Sequence, residues 1–244
     1  MGQVICQGRF DYSQQAKSST ERELIAIKNC LLSFAHLIRH EAVSIRTDNF
    51  AASRIMDIGS PKHHLQSIAM QIFEICVRND IKISPTWVPR ECNQRADYYS
   101  KMLDTDDWSI DNSTFLKVCR EFGHPTVDRF ADNLNAKVRC FNSKFHCPGS
   151  QAQDCAATSL NWICPPVKFV IPAINHLRLC RAKGIIIIPQ WPSSHFWPII
   201  HNGLSFQDYI KKVLILRPYY ISSSNSVFNG LVKFNTLALL IDFS

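Results

Sequence analysis

The sequence has no CxxC pair and no run of cysteine and histidine at zinc-ligand spacing, although it holds 10 cysteines and 9 histidines. That excludes the common structural zinc modules and a thioredoxin-like redox motif. The scattered cysteines read as ordinary reduced thiols of an intracellular compartment. Membrane signals are equally scarce. Residues 237–241 are apolar but far short of the roughly 20 residues that cross a bilayer, and Met1 to Cys6 lacks the basic-then-apolar build of a secretory leader. A soluble intracellular protein with no membrane partner is expected; nucleus and cytoplasm both stay open. There is no internal repeat, and the serine-rich patch at 222–226 is the only low-complexity stretch. No long block carries one sign of charge. The formal charge is +7, and residues 151–244 supply most of it, with 8 basic against 3 acidic side chains. Such an excess favours an anionic partner but is too mild to bind nucleic acid by charge alone.

The composition, 46% hydrophobic and 19% charged, suits a globular core. A length of 244 residues allows one large domain or two ordinary ones. Val4 to Phe10 alternates weakly and predicts a strand. Ser18 to Glu21 supplies capping residues, and Leu24, Ile25, Leu31, Leu32 and Leu37 then recur at helical spacing to about Ile38. Val43 and Ile45 alternate with polar neighbours in a short strand that ends at Thr47, Asp48 and Asn49. A helix follows to Asp57, broken at Gly59 and Pro61. Another, through Leu65, Ile68, Ile72 and Cys76, ends near Asn79. Ile81 to Val88 predicts a strand, and a helix from Asn93 carries Asp97. This order argues for a mixed α/β sheet with helices against it.

Residues 104–111, with three aspartates in four residues, predict a spacer between a first domain at 1–103 and a second at 112–244. The second shows its own α/β pattern: a helix over 115–122, a brief strand at 126–128, another at 138–141, and a helix over 167–181. Gly184 to Pro189 is a fully apolar strand, of the kind that lies mid-sheet with both faces covered.

Asp48 ends a strand beside a helix start. It serves either as that helix's cap or as part of a site at the strand ends, where α/β sheets place their chemistry. Glu23 stands in the first turn of the long helix. Together Glu23, Asp48 and Asp97, the last preceded by Trp87, Pro89, Arg90, Glu91, Cys92 and Asn93, resemble the ribonuclease H domain of retroelement polyproteins. The resemblance implies that these three carboxylates hold Mg²⁺ (or Mn²⁺) and cut the RNA strand of RNA–DNA hybrids. Hard divalent ions take carboxylate oxygens and share themselves with phosphate. Arg46, Asn49, Lys62, Arg90, Asn93 and Arg95 are the expected nucleic-acid contacts, on a hybrid or on DNA. The pattern also departs from the family. Nothing ahead of Val4 supplies its first catalytic Asp, Asp11 falls on the wrong side of the strand, and its mobile-loop His is absent. Impaired hydrolysis is therefore expected.

The second half has a resemblance of its own. Asp104 to Trp108, Val127-Asp128-Arg129-Phe130-Ala131 with Asn135, Ser143, Asp154, Trp162-Ile163-Cys164-Pro165-Pro166, and Ile185 to Trp191 are similar to the region after ribonuclease H in DIRS-type, tyrosine-recombinase retrotransposons. There a Dam-like adenine-N6 methyltransferase of Rossmann-like fold follows, with a reverse transcriptase upstream and a recombinase downstream. The resemblance implies S-adenosylmethionine near Asp128, Ala131, Asn135, Pro165 and Pro166. Such enzymes accept the adenine amino protons on an Asn or Asp and a Pro carbonyl, with an aromatic stacked on the flipped base. Cys164 and Val167 replace the acceptor and the aromatic, so methyl transfer is expected to be lost. Three functions remain open: a metal-dependent hybrid nuclease of reduced activity, a non-catalytic nucleic-acid-binding remnant, and an adenine methyltransferase.

Overall fold

Two N-terminal helices, the four-residue α1 (Tyr12–Gln15) and the 20-residue α2 (Ser19–Ile38), each begin at a side-chain cap. Asp11 accepts the backbone N–H of Gln14, and Ser18 accepts that of Glu21. These side chains satisfy helix-end donors that have no partner within the helix. The computed structural model describes residues 4–101, 108–147, 149–151, 159–216, 220–222, 230–231 and 234–244. The chain is α/β and falls into two units, Met1–Met102 with Phe145–Cys147, and Leu103–Lys144 with Pro148–Ser244.

In the first unit, α2 is followed by β1 (Ala42–Thr47), α3 (Phe50–Ile58), α4 (His63–Asn79), β2 (Lys82–Trp87), a 3₁₀ turn at Arg90–Cys92 and α5 (Gln94–Lys101). Leu65, Ile68, Ile72, Ile75 and Cys76 fall on one face of α4 and are buried with Leu24, Ile25 and Leu31 of α2 and Ala52 and Ile55 of α3. Asp80 ends α4 in the left-handed conformation at φ +49°, and its carboxylate meets Nδ1 of His40 at 3.0 Å.

Strands β1 and β2 run parallel, with Thr47 opposite Trp87. Val43, Ile45 and Ile83 pack on the helical core, while Ala42, Ser44, Arg46, Lys82, Ser84 and Thr86 are exposed on the other face. Pro85 lacks an N–H, which suits β2 to an edge. Two corrections follow. Val4 to Phe10 forms no strand; Val4 is 61% and Ile5 38% exposed, and no described strand pairs with the segment. Among the described residues this sheet is therefore two parallel strands, where the sequence pattern predicts a mixed one.

The second unit is the larger of the two. It contains β3 (Ser109–Ile110), α6 (Asn112–Phe122), β4 (Val127–Asp128), β5 (Leu160–Ile163), a 3₁₀ turn at Val167–Phe169, α7 (Val170–Leu179), β6 (Lys183–Pro189), α8 (Trp197–Ile200), β7 (Ile210–Leu216), β8 (Tyr220–Ser222), β9 (Gly230–Leu231) and β10 (Thr236–Asp242). Its main sheet has the order β4-β5-β6-β10-β7. The first three strands are parallel, and β10 is antiparallel to both its neighbours. Alternation along β6 sends Ile185 and Ile187 to a core with Trp108, Phe115, Val118 and Trp162. Ile186 and Ile188 go to a second core with Val170, Ile174, Leu177 and Phe196. Both faces are thus covered, as the apolar run predicts.

At Gly184 a Cβ would lie 3.1 Å from the Asn161 carbonyl and 3.0 Å from Ile163 Cδ1, so the missing side chain lets β5 approach. The strand predicted at 138–141 reduces to single bridges from Phe141 to Asp128 and Ser150. Of the predicted spacer, 104–107 lie outside the described residues. Trp108, Ser109 and Ile110 are buried at 3%, 6% and 0% exposure, so the spacer does not extend to them. Asp154 also lies outside the described residues.

Candidate functional site

Thr47 is the last residue of β1 and points to the covered face, where it is 1% exposed. A hydroxyl so placed needs a partner, and it donates to Glu23 Oε1 at 2.7 Å. It also accepts the backbone N–H of Asn49 at 3.1 Å. The next helix is capped by Asn49, whose Oδ1 accepts the N–H of Ala52 at 3.0 Å; Asp48 does not do this work. The Asp48 carboxylate instead accepts Nδ2 of Asn93 at 3.1 Å, and its carbonyl accepts the Trp87 indole N–H at 3.2 Å. Asp97 stands in the first turn of α5, where its backbone N–H reaches the Asn93 carbonyl at 3.1 Å. Its carboxylate pairs with Arg90 at 3.5 Å.

One end of the β1–β2 sheet therefore carries Glu23 bonded to Thr47, and beside it Asp48 bonded to Asn93, whose carbonyl accepts the Asp97 backbone N–H. Each carboxylate, however, faces its own neutral or cationic partner. Among the described residues no group of three or more His, Cys, Asp or Glu side chains is placed to hold a metal ion. The set as it stands does not fit a two-metal centre, whose ions sit about 3.5–4 Å apart and share ligands. Of the expected contacts, Arg46, Lys62, Arg90 and Arg95 are exposed, while Asn49 and Asn93 are half-buried and engaged with protein partners. Thr47 was not among the residues singled out from sequence. The signal was the alternation of Val43, Ile45 and Thr47, which carries a polar side chain inward.

In the second unit the expected cofactor residues gather at the ends of β4 and β5, and their polar groups are bonded within the protein. Asp128 is 2% exposed and accepts the backbone N–H groups of Phe130 at 3.3 Å and Lys137 at 3.0 Å. It thus organises the turn that follows it. Asn135 Oδ1 accepts the N–H of Asp132 at 2.7 Å, and Ala131 is 7% exposed with its N–H on the Asn142 carbonyl. The Pro166 carbonyl accepts the N–H of Phe169 at 2.8 Å. The Pro165 carbonyl, one of the two groups a methyltransferase needs, accepts the indole N–H of Trp108 at 2.9 Å inside the core. The Cys164 thiol lies against the Trp108 carbonyl at 3.7 Å. This arrangement does not fit adenine chemistry at Pro165.

Around that turn the polar side chains are joined in a network within the protein. Arg129 donates Nε to Asn161 and Nη1 to Asn142, each at 2.7 Å. Asn161 is fully buried and donates to the carbonyls of Ser159 and Lys183. Burial lowers the pKa of the Lys137 ammonium, opposed by Cys164, Asp128 and Asp111. No protein-family model matches this chain, and no curated protein matches it either. Among the described residues no helix is long and apolar enough to cross a membrane.

Proposed function

We propose that the chain is a nucleic-acid-binding protein of retroelement type, a ribonuclease H-like unit joined to a methyltransferase-like unit, and that it binds without performing either chemistry. The observation that carries this reading is that three carboxylates and one carbonyl, which the two reactions would draw on, are engaged within the protein. Glu23, Asp48 and Asp97 are held by Thr47, Asn93 and Arg90, and the Pro165 carbonyl is held by Trp108. Exposed Arg46, Arg90 and Arg95 lie on or just beyond the same strand ends and supply cationic contacts to a phosphate backbone. Such contacts position a duplex without reading its sequence. For the second unit, the sheet order with an antiparallel strand set beside parallel ones supports Rossmann-like ancestry.

The test is fluorescence anisotropy with a labelled RNA–DNA hybrid. Binding is expected with or without EDTA and should weaken steeply with salt. Replacing Arg46, Arg90 and Arg95 together by alanine should lower affinity roughly tenfold or more, as several phosphate contacts are lost. Absence of binding at low salt overturns the reading. A second reading, metal-dependent hydrolysis, draws on the three carboxylates sharing one strand end. Mg²⁺-dependent cleavage of the hybrid that Asp48→Asn abolishes would establish it instead.

A further inference from the structure

Helix α3 turns Ala52 and Ile55 into the core, and on its solvent side it presents Phe50, Arg54 and Asp57 at successive turns. Phe50 is 63% exposed and takes no part in that core. Trp87 closes β2 opposite the buried Thr47, yet it is 46% exposed and also stands outside the core. Single exposed apolar side chains are ordinary, but these two meet. Their ring centroids lie 6.3 Å apart with the planes at 81°, edge to face. Both rings are anchored. The Trp87 indole N–H donates to the Asp48 carbonyl at 3.2 Å, and the turn that begins with Phe50 is capped by Asn49. In an edge-to-face pair the ring that offers its edge keeps both of its own faces clear of the other. The pair is thus a right-angled corner of aromatic surface open to solvent.

We infer that the Phe50–Trp87 corner is a stacking site for an unpaired base of a nucleic-acid strand. The inference rests on the nucleic-acid reading of the same strand end and adds the form of nucleic acid preferred there. Bases inside a duplex are covered by their neighbours, so only a single strand, an overhang or a frayed end offers a face to a ring. The rim of the corner supplies positive charge. Arg54 lies one helical turn beyond Phe50, and Arg90 follows Trp87 just past the strand; both are exposed. Arg54 pairs with Asp57 and Arg90 with Asp97, each at 3.5 Å. Exposed pairs of this kind are weak, so the guanidinium groups can turn to phosphate oxygens. These arginines favour a polyanion over a proline-rich peptide, the other usual occupant of an aromatic-lined groove. The one hydrogen-bond donor of the two rings is held by Asp48, so the corner stacks a base without reading its edge. Binding is therefore tolerant of sequence.

The experiment compares two labelled RNA–DNA hybrids by fluorescence anisotropy, one blunt and one with a single-stranded overhang of about six thymidines. The full chain should bind the overhang form roughly tenfold more tightly, the scale of one base stacked on an aromatic ring. Trp87→Ala and Phe50→Ala should each remove that gain and leave affinity for the blunt hybrid within about twofold, since neither changes the charge. Trp87→Phe keeps a ring and should retain most of the gain. A second readout is direct: the overhang strand should quench the tryptophan emission that the wild type shows and Trp87→Phe lacks. Circular dichroism checks the fold of each variant, and if an alanine variant unfolds the quenching alone decides. Equal affinity for the two hybrids overturns this inference and leaves the nucleic-acid reading standing. So does a gain that survives both alanine variants, which belongs to the added phosphates. Quenching by a proline-rich peptide but not by the overhang strand assigns the corner to a protein partner and overturns it as well. Failure to bind either hybrid at low salt overturns the nucleic-acid reading and this inference together.

Discussion

The indole N–H of Trp108 donates to the carbonyl of Pro165 at 2.9 Å, with Trp108 3% exposed and packed into the same core as Trp162 and Ile185. The side chain that precedes β3 is thereby the partner of a turn that follows β5. Trp108→Phe keeps most of the packing and removes the donor. The unsatisfied buried carbonyl should cost about 1–3 kcal/mol, read as a lower urea midpoint at unchanged slope. A neutral result would mean that the carbonyl finds another partner, and isothermal titration with S-adenosylmethionine would then show whether a pocket has opened.

Thr47 holds Glu23 at the end of β1, and Thr47→Val removes both the donor to Glu23 and the acceptor of the Asn49 N–H while keeping the shape. Stability should fall by about 1–3 kcal/mol. Hybrid affinity should change by less than about twofold, since the phosphate contacts lie on other residues. A large loss of affinity with stability intact would place Glu23 or Thr47 in the binding surface instead.

Asp111 caps α6, accepting the N–H of Thr114 at 2.9 Å and the hydroxyls of Thr114 at 2.7 Å and Ser113 at 2.5 Å. Burial pushes its carboxyl up, but these donors outweigh burial and hold it below the ordinary value of 3.8. The sign follows. A carboxyl lowered by folding contributes stability above its unfolded value, and the contribution is lost as pH falls through the lower folded value. Unfolding midpoints measured from pH 7 down should show this loss in the wild type and a flatter profile in Asp111→Asn, which still caps. Asp111→Ala should cost about 1 kcal/mol near neutrality.

Most helices of the first unit were legible because their apolar residues repeat at one period. Leu65, Ile68, Ile72 and Cys76 mark α4 in sequence and form its buried face in the fold. The four isoleucines of β6 likewise predicted a strand covered on both sides. Val4 to Phe10 misled because alternation reports only a face, whereas a strand also requires a partner. The predicted spacer misled at Trp108, since a polar stretch gives no warning of one aromatic that returns to the core. At the candidate site the order of Glu23, Asp48 and Asp97 along the chain was legible, but their partners were not. Hydrogen bonds from Thr47 and Asn93 depend on which residues the fold brings beside them, and Asn49 took the capping role that Asp48 was a candidate for.

The place of β10 bears on how the second unit is made. Residues 236–242 lie between β6 and β7, so β6 lacks its second neighbour and β7 its partner until β10 arrives. During synthesis β6 emerges well before its neighbour and must wait with four consecutive isoleucines along an unpaired edge. Such an edge is a template for pairing with other chains. The unit should thus fold only once β10 has emerged from the ribosome, and nascent chains halted between β7 and β10 should be the species that aggregate or recruit chaperones.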